Sequence, residues 1–196
     1  MPLKARNTLP RICIVGLGNP MRGDDALGPV AADYARAMLE HGSRDLDIWA
    51  CAGRSASRAV CVREDPGDPA RLLDILEAHN GVVFLDAADM GAEPGAVRVF
   101  ATPDEWIRLE LPTSVHGLGL QELIPLAERM GICPEVRLVA VQAGHWVTGS
   151  PSSPWLDRAA RCAARLAVCQ ALALLEGTEL PRFELFAHHG RTRPAA

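Results

Sequence analysis

Short continuous apolar runs alternate along the chain with longer stretches in which apolar residues recur at helical spacing. The first run, residues 11–16, ends in glycine and predicts a strand. Leu27, Val30, Ala31, Tyr34 and Met38 then mark one face of a helix that begins near Asp24 and stops near Gly42. Residues 45–50 alternate well enough for a short second strand, whereas residues 54–67 have poor periodicity and read as a loop. Asp68-Pro69 opens the next helix, with the carboxylate as N-cap and proline in the first turn. Its apolar face is Leu72, Leu73 and Leu76, and Asn80-Gly81 ends it. Residues 82–86 form a third strand that is continuously apolar up to Asp86, as in a central strand covered on both faces. After the turn GAEPG, residues 96–100 return as a fourth strand, expected antiparallel to a neighbour and at an edge. Thr102-Pro103-Asp104-Glu105 has the form of a short helix start. Residues 117–130 are mostly helical, with Pro125 inside, and residues 136–142 form a fifth strand. A Gly/Ser/Pro loop over 143–153 leads to a long last helix, capped by Ser153-Pro154 and ending near Gly177.

Strands alternating with helices predict an α/β fold. It is a single three-layer domain with a twisted, mostly parallel five-stranded sheet and helices on both faces. A central order 2-1-3 puts the first strand beside the third, and ligands in such sheets bind beyond the carboxyl ends of the strands where the winding reverses. The domain is expected over residues 11–177, between an N-terminal extension of residues 1–10 and a loose tail over 178–196.

Composition narrows the function more than the fold. The 196 residues are 48% apolar and 22% charged, ordinary values for one globular domain. A net charge of −4 offers no basic footprint for nucleic acid or an anionic membrane. Six cysteines at positions 13, 51, 61, 133, 162 and 169 include no C-x-x-C pair, and buried free thiols are the plain reading. That suits a reducing compartment. The N-terminal apolar stretch is short for a signal peptide, and no stretch approaches the roughly 20 apolar residues of a membrane span. A cytoplasmic protein without membrane or nucleic-acid partners is expected.

The segment GLGNPMRGDDALG, residues 16–28, follows the first strand. A glycine-rich strand-to-helix turn suggests phosphate, but the spacing is neither G-x-G-x-x-G nor a P-loop, and Asp24 and Asp25 would repel the anion. One acid suffices for the helix start. Asp24 is expected to cap, leaving Asp25 to face the crevice. Asp86, ending an apolar strand, sits at the same crevice rim, although an Asx-turn would also account for it. Asp89 reads as a turn or surface acid. His116 lies in TSVHGLGL at a loop-to-helix junction, where a lone histidine is more often structural than a ligand. Together, Asp25, Asp86 and His116 offer two carboxylates and an imidazole. The acids would repel unless a cation lay between them, and mixed O/N ligation suits nickel or zinc better than magnesium.

At these residues the chain resembles the nickel-iron hydrogenase maturation endopeptidases. GLGNPMRGDD is similar to that family's opening motif, LDAADMGAEPGAVRVF to its central segment, SVHGLGL to its histidine segment, and VRLVAVQAGHW to the strand that follows. The likeness runs from Arg11 to about Leu175. It implies removal of a C-terminal extension from the hydrogenase large-subunit precursor once nickel is in place. It further implies that Asp25, Asp86 and His116 are the metal-contacting and catalytic positions, that the nickel is carried by the substrate, and that there is no organic cofactor. The sequence departs from the family at Cys51-Ala52-Gly53, where an acid and two small residues are usual, and at Ala26, often glycine.

The implied chemistry is peptide hydrolysis. Either the metal polarises the scissile carbonyl or lowers the pKa of a water, or Asp25 or Asp86 serves as general base. There is no G-x-S-x-G elbow, and Cys51 has no base beside it in sequence. Two other classes fit part of the pattern. One is a non-proteolytic binding module or chaperone for the metal-loaded large subunit. The other is a nickel chaperone using His145, His188 and His189.

Overall fold

A computed structural model describes residues 11–41, 59–65, 67–106, 109, 119–178, 183–186 and 192–194. The strands are β1 (Ile12–Leu17), β2 (Val60–Asp65), β3 (Gly81–Ala88), β4 (Ala96–Phe100), β5 (Glu135–Gln142), β6 (Phe183–Phe186) and β7 (Thr192–Pro194). The α-helices are α1 (Leu27–His41), α2 (Pro69–Ala78), α3 (Pro103–Trp106), α4 (Leu120–Arg129) and α5 (Leu156–Glu176), and a single 3-10 turn, Gly23–Ala26, precedes α1.

The sheet order is β2-β1-β3-β5-β4-β6-β7. β1, β2, β3 and β5 run parallel, while β4 pairs antiparallel with β5. Helices cover both faces. On one, α1 and α5 pack their small and apolar residues, among them Leu27, Ala31, Ala35, Ala160, Ala163 and Ala167, against Ile14, Val83, Leu85 and Val139. On the other, Leu72 and Leu76 of α2 with Leu123 and Ile124 of α4 meet Val15, Phe84 and Leu138. All residues of β1 and β3 are buried, which accounts for their unbroken apolar runs.

Three expectations are corrected. The strand beside β1 among the described residues is Val60–Asp65, in a segment whose weak periodicity suggested a loop. Its charged second half, Arg63 and Glu64, is tolerated because β2 stands at the edge of the described sheet. The strand expected at residues 45–50 lies outside the described residues. β4 is antiparallel as expected but is not an edge, because β6 pairs along its other side. The tail expected to be loose after Thr178 supplies β6 and β7, which pair antiparallel with each other.

The helix ends follow local signals, with one exception. The Asp68 side chain accepts from the Ala70 amide at 3.0 Å, with Pro69 in the first turn of α2. α4 starts at Leu120, where the Glu122 carboxylate accepts from the Gly119 amide at 3.0 Å. α5 ends at Gly177 in the left-handed conformation, φ 64°. Ser153 does not cap α5, because its side chain is used elsewhere.

Candidate functional site

The strand order places the reversal of winding between β1 and β3. The pairing of these strands stops at Gly16↔Leu85, while β3 continues beside β5 through Asp86↔Ala140 to Ala88↔Gln142. Asp86 is therefore the first residue of β3 beyond the last β1 rung, at the carboxyl end of the sheet. The chain leaving β1 passes this point through the glycine-rich segment and enters α1.

Glycine makes that close passage possible. A Cβ on Gly28 would lie 1.9 Å from the Leu17 carbonyl oxygen and 2.7 Å from that of Leu85, and one on Gly16 would lie 2.3 Å from the Gly28 oxygen. The start of α1 thus rests directly on the backbone of β1 and β3. Gly18 has φ +127°, and a Cβ there would lie 2.0 Å from the Asp25 carbonyl oxygen.

The two adjacent acids take different parts. Asp24, expected as a helix cap, is fully buried and clamps a distant loop. Its carboxylate accepts from the amides of Gly144 at 2.9 Å, His145 at 3.1 Å and Ser153 at 2.7 Å, and from the Ser153 hydroxyl at 2.9 Å. The Asp24 amide in turn donates to the His145 carbonyl at 2.9 Å. His145 is part of the same clamp. Its Nδ1 lies 3.3 Å from Asp24 and its Nε2 3.0 Å from the Pro151 carbonyl, so neither ring nitrogen is a free metal ligand.

Asp25 is 3% exposed and lies 3.5 Å from the Arg22 guanidinium. Burial raises its pKa, against the lowering effect of Arg22 and a backbone hydrogen bond from Asn19. Asp86 is 5% exposed. Burial first, and the charge of Asp25 second, push its pKa well above the ordinary value, with only the Ala87 backbone hydrogen bond opposing. Asp25 and Asp86 are thus both buried, and near enough for the charge of Asp25 to act on Asp86.

The remaining sequence candidates sort as follows. His116, Cys51-Ala52-Gly53, His188 and His189 lie outside the described residues. Asp89 is the turn acid expected: its carboxylate accepts from the Gly91 amide at 3.0 Å and from Gln142 Nε2 at 3.1 Å. Gln142, not singled out in the sequence, is buried and takes the amides of Met90 and Ala92 on its side-chain oxygen at 2.7 and 3.1 Å. It fixes the turn that leaves β3 just after Asp86. A buried glutamine ending an apolar strand was the available signal.

Comparison with known proteins places this chain in a family. The hydrogenase maturation protease family matches residues 55–170, more than half of the chain. That stretch holds Asp86 and His116 and leaves Asp25 outside. The chain is 27% identical over 128 residues to the hydrogenase expression/formation protein HupD of Rhizobium leguminosarum bv. viciae, covering 64% of this chain and 55% of HupD. The match thus spans little more than half the length of that relative. Among solved structures, the fold is similar to a NiFe hydrogenase maturation protease HycI from Thermococcus kodakarensis KOD1, with TM-score 0.59 and 23% identity over 83% of this chain and 92% of that one. It is similar also to the hydrogenase maturating endopeptidase HybD from E. coli, with TM-score 0.57 and 21% identity over 85% and 93%. On the extent of the family match, this chain belongs to the hydrogenase maturation proteases.

Proposed function

We propose that this protein is an endopeptidase that removes the C-terminal extension of a nickel-iron hydrogenase large-subunit precursor, and that it does so after recognising the nickel held by that precursor. The observation that carries the reading is the buried pair Asp25 and Asp86 at the carboxyl end of the parallel strands, in a chain of this family. Two buried acids that feel each other's charge repel, and a cation presented by a substrate would relieve that repulsion. Asp25, Asp86 and His116 are the proposed contacts to the nickel and to the reacting peptide. In this reading the metal is cargo of the substrate, and the protease has no organic cofactor.

The pair also supplies proton chemistry. One carboxyl that keeps its proton and one that loses it are matched to the general acid and general base of peptide hydrolysis. Asp25, beside Arg22, is the member more easily ionised and the proposed base. Asp86, more strongly buried and repelled by Asp25, is the proposed proton holder. No helix of the described residues is long and apolar enough to cross a membrane. We place the reaction in the cytoplasm, where the precursor is made.

The test is to incubate the protein with nickel-loaded large-subunit precursor and weigh the products by mass spectrometry. The expected result is loss of the C-terminal peptide with wild-type protein and an intact precursor with Asp25→Ala, Asp86→Ala or His116→Ala. Full activity in the Asp25→Ala and His116→Ala variants overturns the assignment. A stable complex with no loss of mass assigns the chain instead to non-proteolytic binding of the large subunit.

A further inference from the structure

A second cluster of chemically capable side chains lies at the other end of the sheet. Cys13 and Cys61 are register partners on the parallel strands β1 and β2, each the second residue of its strand. His79 follows the last residue of α2 and precedes β3, so it too lies at the amino end of the parallel strands. The two sulfurs and one imidazole nitrogen lie within 4.8 Å of one another, and Cys61 Sγ is 3.3 Å from His79 Nε2.

The imidazole is oriented for ligation. Its Nδ1 lies 2.7 Å from the Ile75 carbonyl oxygen. A carbonyl only accepts, so Nδ1 carries the hydrogen and Nε2 is the nitrogen turned to the sulfurs. A backbone carbonyl holding the far ring nitrogen is the usual outer support of a metal-bound histidine. The sulfurs are likewise prepared. Contact with the Cys13 thiol first and with the His79 imidazole next holds the Cys61 thiol down at about 4, while contact with Cys61 and then burial push Cys13 up.

We propose that Cys13, Cys61 and His79 form a binding site for a thiophilic divalent ion of the zinc type, separate from the carboxylate pair. Donors around a tetrahedral zinc, with bonds of about 2.3 Å to sulfur and about 2.0–2.1 Å to nitrogen, sit about 3.5–3.8 Å apart. The observed separations, one at 3.3 Å and all within 4.8 Å, bracket that spacing. Two sulfurs and one imidazole favour zinc over magnesium or calcium. Cys13 is fully buried, whereas Cys61 and His79 are half-buried, so the fourth position faces outward. A cavity of about 490 Å³ lined by Val62, Arg63, Arg71, Asp74, Ile75 and His79 opens beside the imidazole. The bound ion would tie β1, β2 and the end of α2 together at the edge of the described sheet.

The test uses the full reduced chain and Co(II) alone as probe, with Zn(II) as competitor. The expected result is one equivalent of Co(II) showing sulfur-to-cobalt charge-transfer absorption and tetrahedral d–d bands, both removed by Zn(II). Cys61→Ser and His79→Gln should weaken Co(II) binding at least about tenfold. Cys133→Ser, an exposed cysteine elsewhere, and Asp86→Asn should leave the bands unchanged. X-ray absorption of the zinc-loaded wild type, which needs no variant to fold, should count two sulfurs and one imidazole. An oxygen-dominated shell, absence of the charge-transfer band, or a band that persists in folded Cys61→Ser overturns the proposal. So does a Cys13–Cys61 pair that takes no Co(II) after reduction.

Discussion

Asp86 feels the charge of Asp25, and that repulsion adds to burial in holding its proton well above the usual carboxylate range. The sign of the consequence for stability follows. In the unfolded chain this acid ionises near 3.8. In the fold it keeps its proton to higher pH, so its contribution is fully present below the unfolded value and is lost as pH rises through the folded one. At neutral pH the unfolded chain carries this acid ionised and free of its neighbour, and that draws the equilibrium away from the fold. Asp86→Asn should raise Tm at pH 7 by about 2–4 °C, the shift that about 1 kcal/mol gives in a chain of this size. The gain should shrink toward zero in acid. Thermal denaturation of both proteins across pH checks it, and on the proposed function the stabilised variant leaves precursor uncut.

Asp24 should behave in the opposite way. Asp24→Ala strands three amides and a hydroxyl, those of Gly144, His145 and Ser153, in a part-buried setting. The expected loss is about 2–4 kcal/mol, since each unsatisfied buried donor costs about 1–3 kcal/mol and the loop recovers part of this by moving toward water. Urea denaturation measures the total. Hydrogen exchange should show the amides at 144, 145 and 153 losing protection first.

Gly28→Ala tests the close approach of α1 to the sheet. Replacing glycine by alanine in a helix ordinarily gains about 1 kcal/mol from propensity. Here the added Cβ meets the Leu17 carbonyl oxygen at 1.9 Å and the Leu17 nitrogen at 2.6 Å, both backbone atoms that cannot rotate away. Overpacking should win by a wide margin, for a net loss of about 2 kcal/mol or more. Chemical denaturation of the variant decides the sign.

The surface contact between α1 and α5 should matter little. The Tyr34 hydroxyl donates to Asp157, Arg161 lies over the Tyr34 ring at 4.6 Å, and Arg161 pairs with Asp157 at 3.1 Å. Arg161 and Asp157 are exposed and Tyr34 is only partly buried, and exposed pairs of this kind contribute about 0–1 kcal/mol. Tyr34→Phe should shift the denaturation midpoint by no more than that.

The parts of this protein that were legible in its sequence are those set by neighbours along the chain. The apolar runs of β1, β3 and β5, the Asp68-Pro69 helix start and the Gly177 stop are such signals. So was the position of Asp86 near the carboxyl end of β3, because an acid closing an apolar run can be placed without coordinates. β2 was missed because Arg63, Glu64 and Asp65 break its alternation, and only an edge position lets them remain in water. Asp24 was misread as a helix cap because its partners lie at 144–153, far along the chain. Cys13, Cys61 and His79 gave no signal at all, since their meeting depends on the register of β1 with β2.

The clamp around Asp24 grips mostly main chain: three of its four donors are amides that every non-proline residue possesses. Outside Gly149, whose φ is +81°, and Trp146, which packs on the core, substitutions between positions 146 and 152 should leave it largely intact, whereas an insertion or deletion there would change where the strap lands. Asp24 and Asp25 are joined by one peptide unit, so a displaced strap drags on the crevice acid. Length is thus policed in this stretch far more strictly than spelling.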